Sequence, residues 1–395
     1  MTKSVKNKLL ECIYLICISA YFIVSLGAYS PFGDSISQSI TQKDLFTYSN
    51  WIIFSILAVI YIFKEHTDKK EILMELFVAA VFFIATFTNQ TVTNKYSLTQ
   101  WTFFFTTGMF IICATVTTFK RIAIATLAPN IFMFIAFNII DIYELIPEFM
   151  AEPYILTGRM AHYMGYYYYS HPSYYMLFAW AIYMFLRGKK KIGWIELGIE
   201  LVAQYQIYRY TTCRLGFLCA LVLFILYVVI VKLDLINFNW KITKFASISG
   251  FSLAALFTLL SGYLYTPSIS IIQKINSALS GRLKLINLAF ERYNIKLFGR
   301  IILPPADGSY FYLDSGYVYA LFGCGLIFFL VVLAMHSYAL YYAYKTNNKP
   351  LFVWIVALLV FNIIGDAWVA MTYSPVVLGF FIFLREHRTL KKQQL

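Results

Sequence analysis

The stretch LLECIYLICISAYFIVSLG, residues 9–27, contains one charged side chain, Glu11, among nineteen residues. An α-helix needs about 20 predominantly apolar residues to cross the hydrocarbon core of a bilayer. This stretch is longer than the apolar core of a usual signal peptide, and further apolar stretches follow it. It therefore predicts a retained membrane-spanning helix near the N-terminus.

Similar apolar stretches recur along all 395 residues. Hydrophobic residues make up 60% of the chain and charged residues only 13%, whereas a soluble domain has about 25% charged residues. We predict an all-α polytopic integral membrane protein with about 12 transmembrane helices, forming a single multi-pass domain over residues 1–395. The predicted helices cover residues 9–27, 46–63, 72–89, 99–119, 122–140, 171–187, 192–210, 214–231, 245–265, 313–335, 350–365 and 367–384.

The basic residues predict the orientation of these helices, because cytoplasmic loops are enriched in Lys and Arg. With the N-terminus in the cytoplasm, 21 of the 32 basic residues lie in inner segments, among them residues 64–70, 187–191 and the C-terminal tail. Both termini are therefore expected in the cytoplasm. The net charge of +13 then reflects membrane topology, and no nucleic-acid partner is expected.

Two long outer loops are predicted, at residues 141–170 and 266–312. The second contains six of the eleven basic residues that this topology places outside, although Lys and Arg are normally depleted from translocated loops. We therefore expect it to hold an anion. Between Ile271 and Tyr293 its apolar residues recur at spacings of 3 and 4, which predicts an amphipathic helix in the outer interface.

Arginine suits such an anion, because its guanidinium stays charged and binds phosphate oxygens bidentately. Arg159 lies in the first outer loop, Arg214 in the motif YTTCRLG and Arg282 in LSGRLKL. Lys284 lies off the apolar stripe of the amphipathic helix and adds positive charge. The alternative for each cation is an anchor that reaches the phosphates of ordinary lipids.

Three outer residues could exchange a proton. His171 opens the sixth predicted span, where Pro172 suits the first turn and the helix dipole keeps the imidazole neutral, as a general base must be. The alternative for His171 is a polar cap among interfacial tyrosines. Asp314 and Asp366 lie at the outer ends of two spans, where either could accept a proton, bond sugar hydroxyls or pair with an arginine.

The seventh predicted span has a polar stripe, with Glu196, Glu200 and Gln204 on one face. An unpaired carboxylate as deep as Glu200 costs about 2.5–3.5 kcal/mol on insertion scales. The stripe is the best sequence argument for a transporter, and its alternative is a structural pairing with a basic residue.

Several motifs are absent. The sequence has no phosphate-cradling P-loop, which argues against an ATP-driven pump, and no DxD motif in the predicted cytoplasmic loops. The six cysteines form no CxxC pair, and no HExxH motif or Cys/His cluster occurs, so we expect no metal and no cofactor. An enzyme at the outer face must then use an activated donor that the membrane carries.

Four motifs follow one another between residues 140 and 330: YSHPSYY from Tyr169, YTTCRLGF from Tyr210, LSGRLKLINLAFERYNIKLFG from Leu279 and LDSGYVYALFGCGLI from Leu313. Their order resembles the oligosaccharide repeat-unit polymerase (Wzy) family of bacterial capsules, exopolysaccharides and O-antigens, which is distantly similar to O-antigen ligases. The chain departs from the family pattern at Ser173, where Asn is usual, and at Cys213, where Ser is usual.

The resemblance implies a glycosyltransferase of the bacterial cytoplasmic membrane with its active face outward. It would polymerise undecaprenyl-pyrophosphate-linked oligosaccharide repeat units by en bloc transfer and release undecaprenyl pyrophosphate. Further partners would be membrane lipids, a flippase and a chain-length regulator. The alternatives are a lipid-linked oligosaccharide flippase or polysaccharide transporter, and an O-antigen-type ligase.

The resemblance and the residue chemistry together give two groups of expected site residues. The expected catalytic residues are His171, Arg214, Arg282 and Asp314, and the expected substrate-binding residues are Arg159, Lys284, Tyr174, Tyr317 and Asp366.

Overall fold

The computed structural model of this chain consists almost entirely of helices. It describes residues 3–28, 42–88, 97–143, 152–153, 160–166, 168–188, 192–279, 281–302, 311, 313–368 and 370–393. Within these ranges, seven helices are long and apolar enough to cross a membrane. The architecture is therefore that of an all-α membrane protein, and the finer count of twelve spans stays a prediction.

The helices before the second long loop lie close to the predicted spans. They are α1 (Lys3–Ala28), α2 (Gln42–Phe63), α3 (Lys69–Thr88), α4 (Ser97–Cys113), α5 (Phe119–Ile142), α6 (His171–Arg187), α7 (Trp194–Thr211), α8 (Arg214–Leu226) and α9 (Lys241–Tyr263). The later helices are α10 (Ser270–Ala278), α11 (Arg282–Arg292), α12 (Gly316–Tyr319), α13 (Leu326–Lys345), α14 (Lys349–Ile364) and α15 (Phe380–Gln393). Two short strands, β1 (Glu152–Pro153) and β2 (Met160–Ala161), pair antiparallel.

One cluster of buried apolar side chains extends from Leu10 in α1 to Phe383 in α15. Large apolar side chains also lie on the outside of the bundle, among them Ile62, Phe132 and Phe257. An exposed apolar surface of this extent is the pattern of helices whose outer faces meet lipid.

The amphipathic helix predicted for residues 271–293 is instead two helices, α10 and α11. The turn between them contains Gly281 at φ +85°, a conformation that residues with a side chain rarely adopt. Asn276 fixes the turn, because its backbone oxygen accepts from Gly281 N–H at 2.7 Å and its Oδ1 accepts from Lys284 N–H at 3.1 Å. The single-helix prediction is wrong because a regular apolar spacing does not reveal such a turn.

The span predicted for residues 313–335 is also interrupted. Helix α12 continues into a π-helical segment, Ala320–Cys324, and α13 begins after Gly325, which has a φ of +96°. The prediction of one continuous helix is therefore wrong at Gly325.

Residues 296–300 cross this interruption and supply the hydrogen bonds that the helix lacks there. Leu326 N–H donates to Lys296 O at 2.9 Å, Ile327 N–H to Leu297 O at 3.1 Å, and Arg300 N–H to Gly323 O at 3.0 Å. Hydrocarbon offers no water to satisfy a free backbone group, so a broken spanning helix needs partners of this kind. The segment is consequently hydrogen-bonded to the bundle, while Leu297 and Phe298 stay exposed on its outer surface.

The last predicted span, residues 367–384, is wrong as a single helix. Residues 371–373 form a turn, Pro375–Gly379 is a short 3-10 helix, and α15 begins only at Phe380. Pro375 has no backbone N–H to donate, which suits the start of a helical segment and not its interior.

Contacts between distant segments place several loops at the same end of the bundle. Lys3 pairs with Glu65 at 3.1 Å, and Arg385 pairs with Glu71 at 2.6 Å. The N-terminus, the connection after α2 and the C-terminal helix therefore share one end, called here the N-terminal end. The segments described next meet at the opposite end.

Candidate active site

An ion pair joins two of the predicted site residues. The Arg282 guanidinium lies 2.9 Å from Asp314 Oδ2, and the two side chains are only 24% and 19% exposed. Arg282 is the first residue of α11, and Asp314 lies in the short loop before α12. The long second loop thus returns to the bundle and fixes a cation beside a carboxylate at its edge.

A second loop holds Asp366 near this pair. Gly316 N–H donates to Gly365 O at 2.7 Å, and Ser315 Oγ donates to Asn362 O at 3.1 Å. These bonds tie the loop before α12 to the C-terminal end of α14. Asp366, which follows Gly365, therefore lies within electrostatic range of Asp314.

The two carboxyl groups have different surroundings. Burial raises the pKa of Asp314, and the positive charge of Arg282 opposes that rise. Burial together with the negative charge of Asp314 raises the pKa of Asp366 to about 7. The Asp366 residue is nevertheless exposed to solvent, so its carboxyl can exchange a proton with water. It can therefore gain and lose a proton near neutral pH.

Two tyrosines complete the neighbourhood of the pair. The hydroxyls of Tyr168 and Tyr174 both lie within electrostatic range of Asp314 and Arg282. Tyr168 is partly exposed and its ring packs on Tyr169, with 4.5 Å between the ring centroids. Aromatic faces of this kind, next to ionic groups, can bind the apolar faces of a polar ligand.

Within the motif that contains Arg214, the residue that lies at the site is Cys213, which precedes Arg214 in the chain. Cys213 is buried and lies within electrostatic range of Arg282 and Tyr174. A side chain at Gly216 would overlap Ser173, so the first turns of α6 and α8 pack closely together. Ser173 and Cys213, the two residues that differ from the polymerase motifs that the sequence resembles, both lie at this contact.

Arg214 is exposed at the start of α8, and it forms no ion pair with an acidic residue in the described ranges. It adjoins the site through Cys213, the residue that precedes it in the chain. Its guanidinium is therefore available to an anion that approaches from outside the bundle.

His171 begins α6, as the sequence predicts, and its ring lies among tyrosines. The centroids of Tyr168, Tyr175 and Tyr373 are 5.8, 6.1 and 6.3 Å from its own. His171 thus neighbours the site through Tyr168, and three tyrosine rings pack around its imidazole.

The remaining predicted residues differ in their suitability. Tyr317 is fully buried, and its hydroxyl donates to Leu359 O at 3.0 Å, so it supports packing and is not available to a ligand. Lys284 has an exposed side chain in the first turn of α11. Arg159 lies outside the described residues.

One buried contact near the site was not among the sequence predictions. Trp368 Nε1–H donates to Nδ1 of His336 at 2.9 Å, and the Trp368 ring packs edge-on against Tyr317 at 4.7 Å. This contact holds the loop that carries Asp366. A histidine within an apolar span such as α13 is the only hint that a sequence offers.

Within the described residues, no three His, Cys, Asp or Glu side chains lie together as metal ligands would. No protein-family model matches this chain, and the chain matches no curated protein and no solved structure.

Proposed function

We propose that this chain is a membrane glycosyltransferase that polymerises undecaprenyl-pyrophosphate-linked oligosaccharide repeat units at the outer face of the bacterial cytoplasmic membrane. The observation that carries the proposal is the Arg282–Asp314 pair, with Tyr168, Tyr174 and Asp366 around it. Segments far apart in sequence, each containing one of the family-like motifs or Asp366, supply these groups.

The reaction needs a fixed cation to stabilise its leaving group. A hydroxyl of the acceptor sugar attacks the anomeric carbon of the donor, the bond from that carbon to the pyrophosphate oxygen breaks, and undecaprenyl pyrophosphate leaves. Negative charge develops on the leaving oxygen, and a preorganised guanidinium stabilises it without reorganisation. Arg282 fits this role because Asp314 already holds its side chain in place.

The hydroxyl proton needs an acceptor, and Asp366 suits this role better than His171. A general base is most effective when its pKa lies near the working pH, and the pKa of Asp366 is about 7. Asp366 also opens to solvent, whereas His171 lies among three tyrosine rings. Tyr168 and Tyr169 would stack on the sugars that approach.

The test uses purified protein with lipid-linked repeat units and no nucleotide. The wild-type chain should form a ladder of polymer on a gel, and Arg282→Ala and Arg214→Ala should each leave single repeat units. Lys274→Ala is the matched control, because Lys274 is an exposed cation of the same loop. Normal chain lengths in both arginine variants would contradict the proposal.

The same assay separates the ligase alternative. A ligase would transfer the glycan to a different acceptor, so it would form no ladder from repeat units alone. A single transfer to an added lipid A-type glycolipid would favour the ligase.

A transporter remains a second candidate because of α7. Glu200 and Gln204 are 1% and 0% exposed, and none of their side-chain oxygen and nitrogen atoms has a hydrogen-bond partner in the described parts of the chain. Ionisable residues buried in a spanning helix often mark a transport pathway. Movement of lipid-linked repeat units across vesicles, with no polymer and with loss in Glu200→Gln, would favour the transporter.

A further inference from the structure

A row of tyrosine rings lies on the loop between β2 and α6. The ring centroids of Tyr168 and Tyr169 are 4.5 Å apart, and those of Tyr169 and Tyr163 are 6.3 Å apart with 18° between the ring planes. Tyr168 is 44% exposed, whereas Tyr163 and Tyr169 are half-buried. We call these three residues the tyrosine platform. Because its rings lie side by side, one extended ligand can contact all of them.

Other residues of the same loop anchor the platform to the bundle. The Tyr166 side chain is buried, and its ring lies 4.8 Å from that of Phe137 in α5 and 5.6 Å from that of Tyr175 in α6. At the start of the loop, His162 N–H donates to Tyr210 O, at the end of α7, at 2.9 Å. The loop is therefore fixed to three helices, and a defined backbone presents the three platform rings.

A tight turn between Tyr163 and Tyr166 shapes the loop that carries the platform. Tyr166 N–H donates to Tyr163 O at 2.9 Å. Between them, Met164 and Gly165 have φ of 50° and 75°, a left-handed conformation that residues other than glycine rarely adopt. An added Cβ at Gly165 would lie 2.7 Å from Phe137 O, so the turn is pressed against α5. Strained backbone of this kind is concentrated at ligand sites, where it holds binding groups in place.

The platform begins at the candidate active site. The Tyr168 hydroxyl lies within electrostatic range of Asp314 and Arg282. Tyr169 and Tyr163 continue the row of rings from Tyr168. A ligand that reacts beside the Arg282–Asp314 pair therefore meets the platform with its neighbouring part.

The chemistry of the platform fits a glycan. A sugar ring has an apolar C–H face that packs on an aromatic ring, and its hydroxyls bond phenol hydroxyls. A hydrocarbon tail would leave the phenol hydroxyls without such partners, and a phosphate group would need cations at the platform. The alternative is an interfacial tyrosine belt, whose rings sit among lipid headgroups at the ends of spans. The platform rings instead pack on one another in a loop that is tied to the bundle.

We propose that the tyrosine platform binds the sugars that lie next to the reacting sugar in the glycan, and that it thereby favours long glycans over single repeat units. This inference rests on the proposed function. Only one sugar of each glycan reacts at a time, so the sugars beyond it contribute binding energy without taking part in bond making. Binding energy from such remote parts of a substrate orients the reacting carbon.

The binding test uses the purified full-length chain and lipid-free glycan. Mild acid releases this glycan from the lipid-linked intermediates of cells that produce the chain, and gel filtration sorts it by size. Isothermal titration calorimetry should show that the wild-type chain binds longer glycans more tightly than single repeat units. Tyr163→Ala combined with Tyr169→Ala should weaken the binding of longer glycans about tenfold, because two stacking surfaces are lost. Tyr163→Phe combined with Tyr169→Phe keeps both rings and should keep most of that affinity.

Two further variants keep the test independent of the folding of the first. Tyr168→Ala removes the most exposed ring of the platform, and it should weaken glycan binding in the same direction. Gly165→Ala leaves all three rings in the chain but displaces the turn, so it should weaken binding as well. Tyr48→Ala is the matched control, because Tyr48 is a 65% exposed tyrosine of α2 and not of the loop.

Three results would overturn the site. One is unchanged glycan affinity in a Tyr163→Ala, Tyr169→Ala variant that melts at the wild-type temperature. Another is an equal loss of affinity in Tyr48→Ala, which would reduce the platform to a part of an interfacial belt. The third is equal affinity of the wild-type chain for long glycans and single repeat units.

The role in polymerisation is tested with lipid-linked donors that carry either a single repeat unit or a longer glycan. The Tyr163→Ala, Tyr169→Ala variant should raise the KM for the longer donor about tenfold and the KM for the short donor by less. An equal rise for both donors would contradict the assigned role. If no chain forms polymer but glycan binding still depends on the platform, the proposed function fails and the glycan site stands. Polymer formation together with platform-independent glycan binding would show the reverse.

Discussion

At the scale of single residues, the two carboxyl groups of the site, Asp314 and Asp366, have different surroundings. Asp314 is paired with Arg282, whereas Asp366 forms no ion pair with a described basic residue and faces the charge of Asp314. Such surroundings separate the proton affinities of two carboxyl groups. One of them can then stay ionised and orient the cation, while the other exchanges a proton with the substrate.

The raised pKa of Asp366 gives polymerisation a defined pH dependence. A general base works as the carboxylate, and Asp366 loses its proton at about pH 7. The initial rate should therefore fall tenfold per pH unit as the pH drops below about 7. Asp366→Asn should lower kcat by about 10²–10⁴ and remove this acid limb. An unchanged acid limb in Asp366→Asn would assign the proton transfer to another group.

The residue types of the site could be predicted from the sequence, but their pairing could not. Arg282, Asp314 and Asp366 are all charged residues at the ends of apolar stretches, where composition alone makes them conspicuous. Whether an arginine faces a carboxylate depends on how a loop returns to the bundle. Tyr317 was expected to bind substrate at the membrane interface. It is instead fully buried, and its hydroxyl donates a hydrogen bond to a backbone oxygen.

At the scale of helices, hydropathy predicts where a helix exists and says little about where it breaks. Helix α6 begins and ends at the predicted residues, because an apolar run with Pro172 in the first turn and Gly188 after it is a strong local signal. The breaks at Gly281 and Gly325 depend on contacts with distant segments. The presence of a glycine within an apolar stretch does not by itself predict such a contact.

Gly325 should tolerate no side chain. It has a φ of +96°, and an added Cβ would overlap the backbone of Phe298 and Gly299. Gly325→Ala should therefore destabilise the protein by about 1–3 kcal/mol or more, through strain and loss of the crossing hydrogen bonds. Thermal unfolding in detergent measures this loss.

Gly198→Ala is the matched control for Gly325→Ala. Gly198 lies within α7, and a Cβ there meets nothing within 4 Å. Alanine is also the better helix former, so the melting temperature should stay the same or rise. Equal losses in the two variants would show that Gly325 has no special role.

At the scale of the whole molecule, a buried ion pair joins three segments at the N-terminal end. Lys64 and Glu75 are 1% and 0% exposed in their side chains and lie 2.5 Å apart. Lys64 also donates to the backbone oxygen of Ile112 in α4. The pair thus connects the loop after α2 with α3 and α4.

Removing one partner of this pair should be worse than removing both. Lys64→Met leaves Glu75 buried without its cation, which costs about 3–5 kcal/mol, whereas Lys64→Met with Glu75→Gln should recover most of that loss. Lys3→Ala, which breaks an exposed pair, should leave the melting temperature unchanged. Equal melting temperatures for the single and the double variant would contradict a buried charge pair.

The orientation of the molecule can be tested by cysteine labelling in a Cys12→Ser background, since the other five cysteines are buried. A membrane-impermeant maleimide should label Lys274→Cys in intact cells, and Lys120→Cys only after permeabilisation. Both positions are exposed, and they lie on the predicted outer and inner sides. The reverse pattern would place Arg282 in the cytoplasm and contradict a polymerase that acts on externally displayed lipid.

The crossing of residues 296–300 over the interrupted helix has a consequence for biogenesis. These residues leave the ribosome before Leu326 and Ile327. Their backbone oxygens later accept hydrogen bonds from the N–H groups of those two residues. A translocon that releases spans in order therefore cannot complete this part of the bundle until α13 has entered the bilayer. A nascent chain truncated before α13 would present residues 296–300 without their partners, as a substrate for membrane quality control.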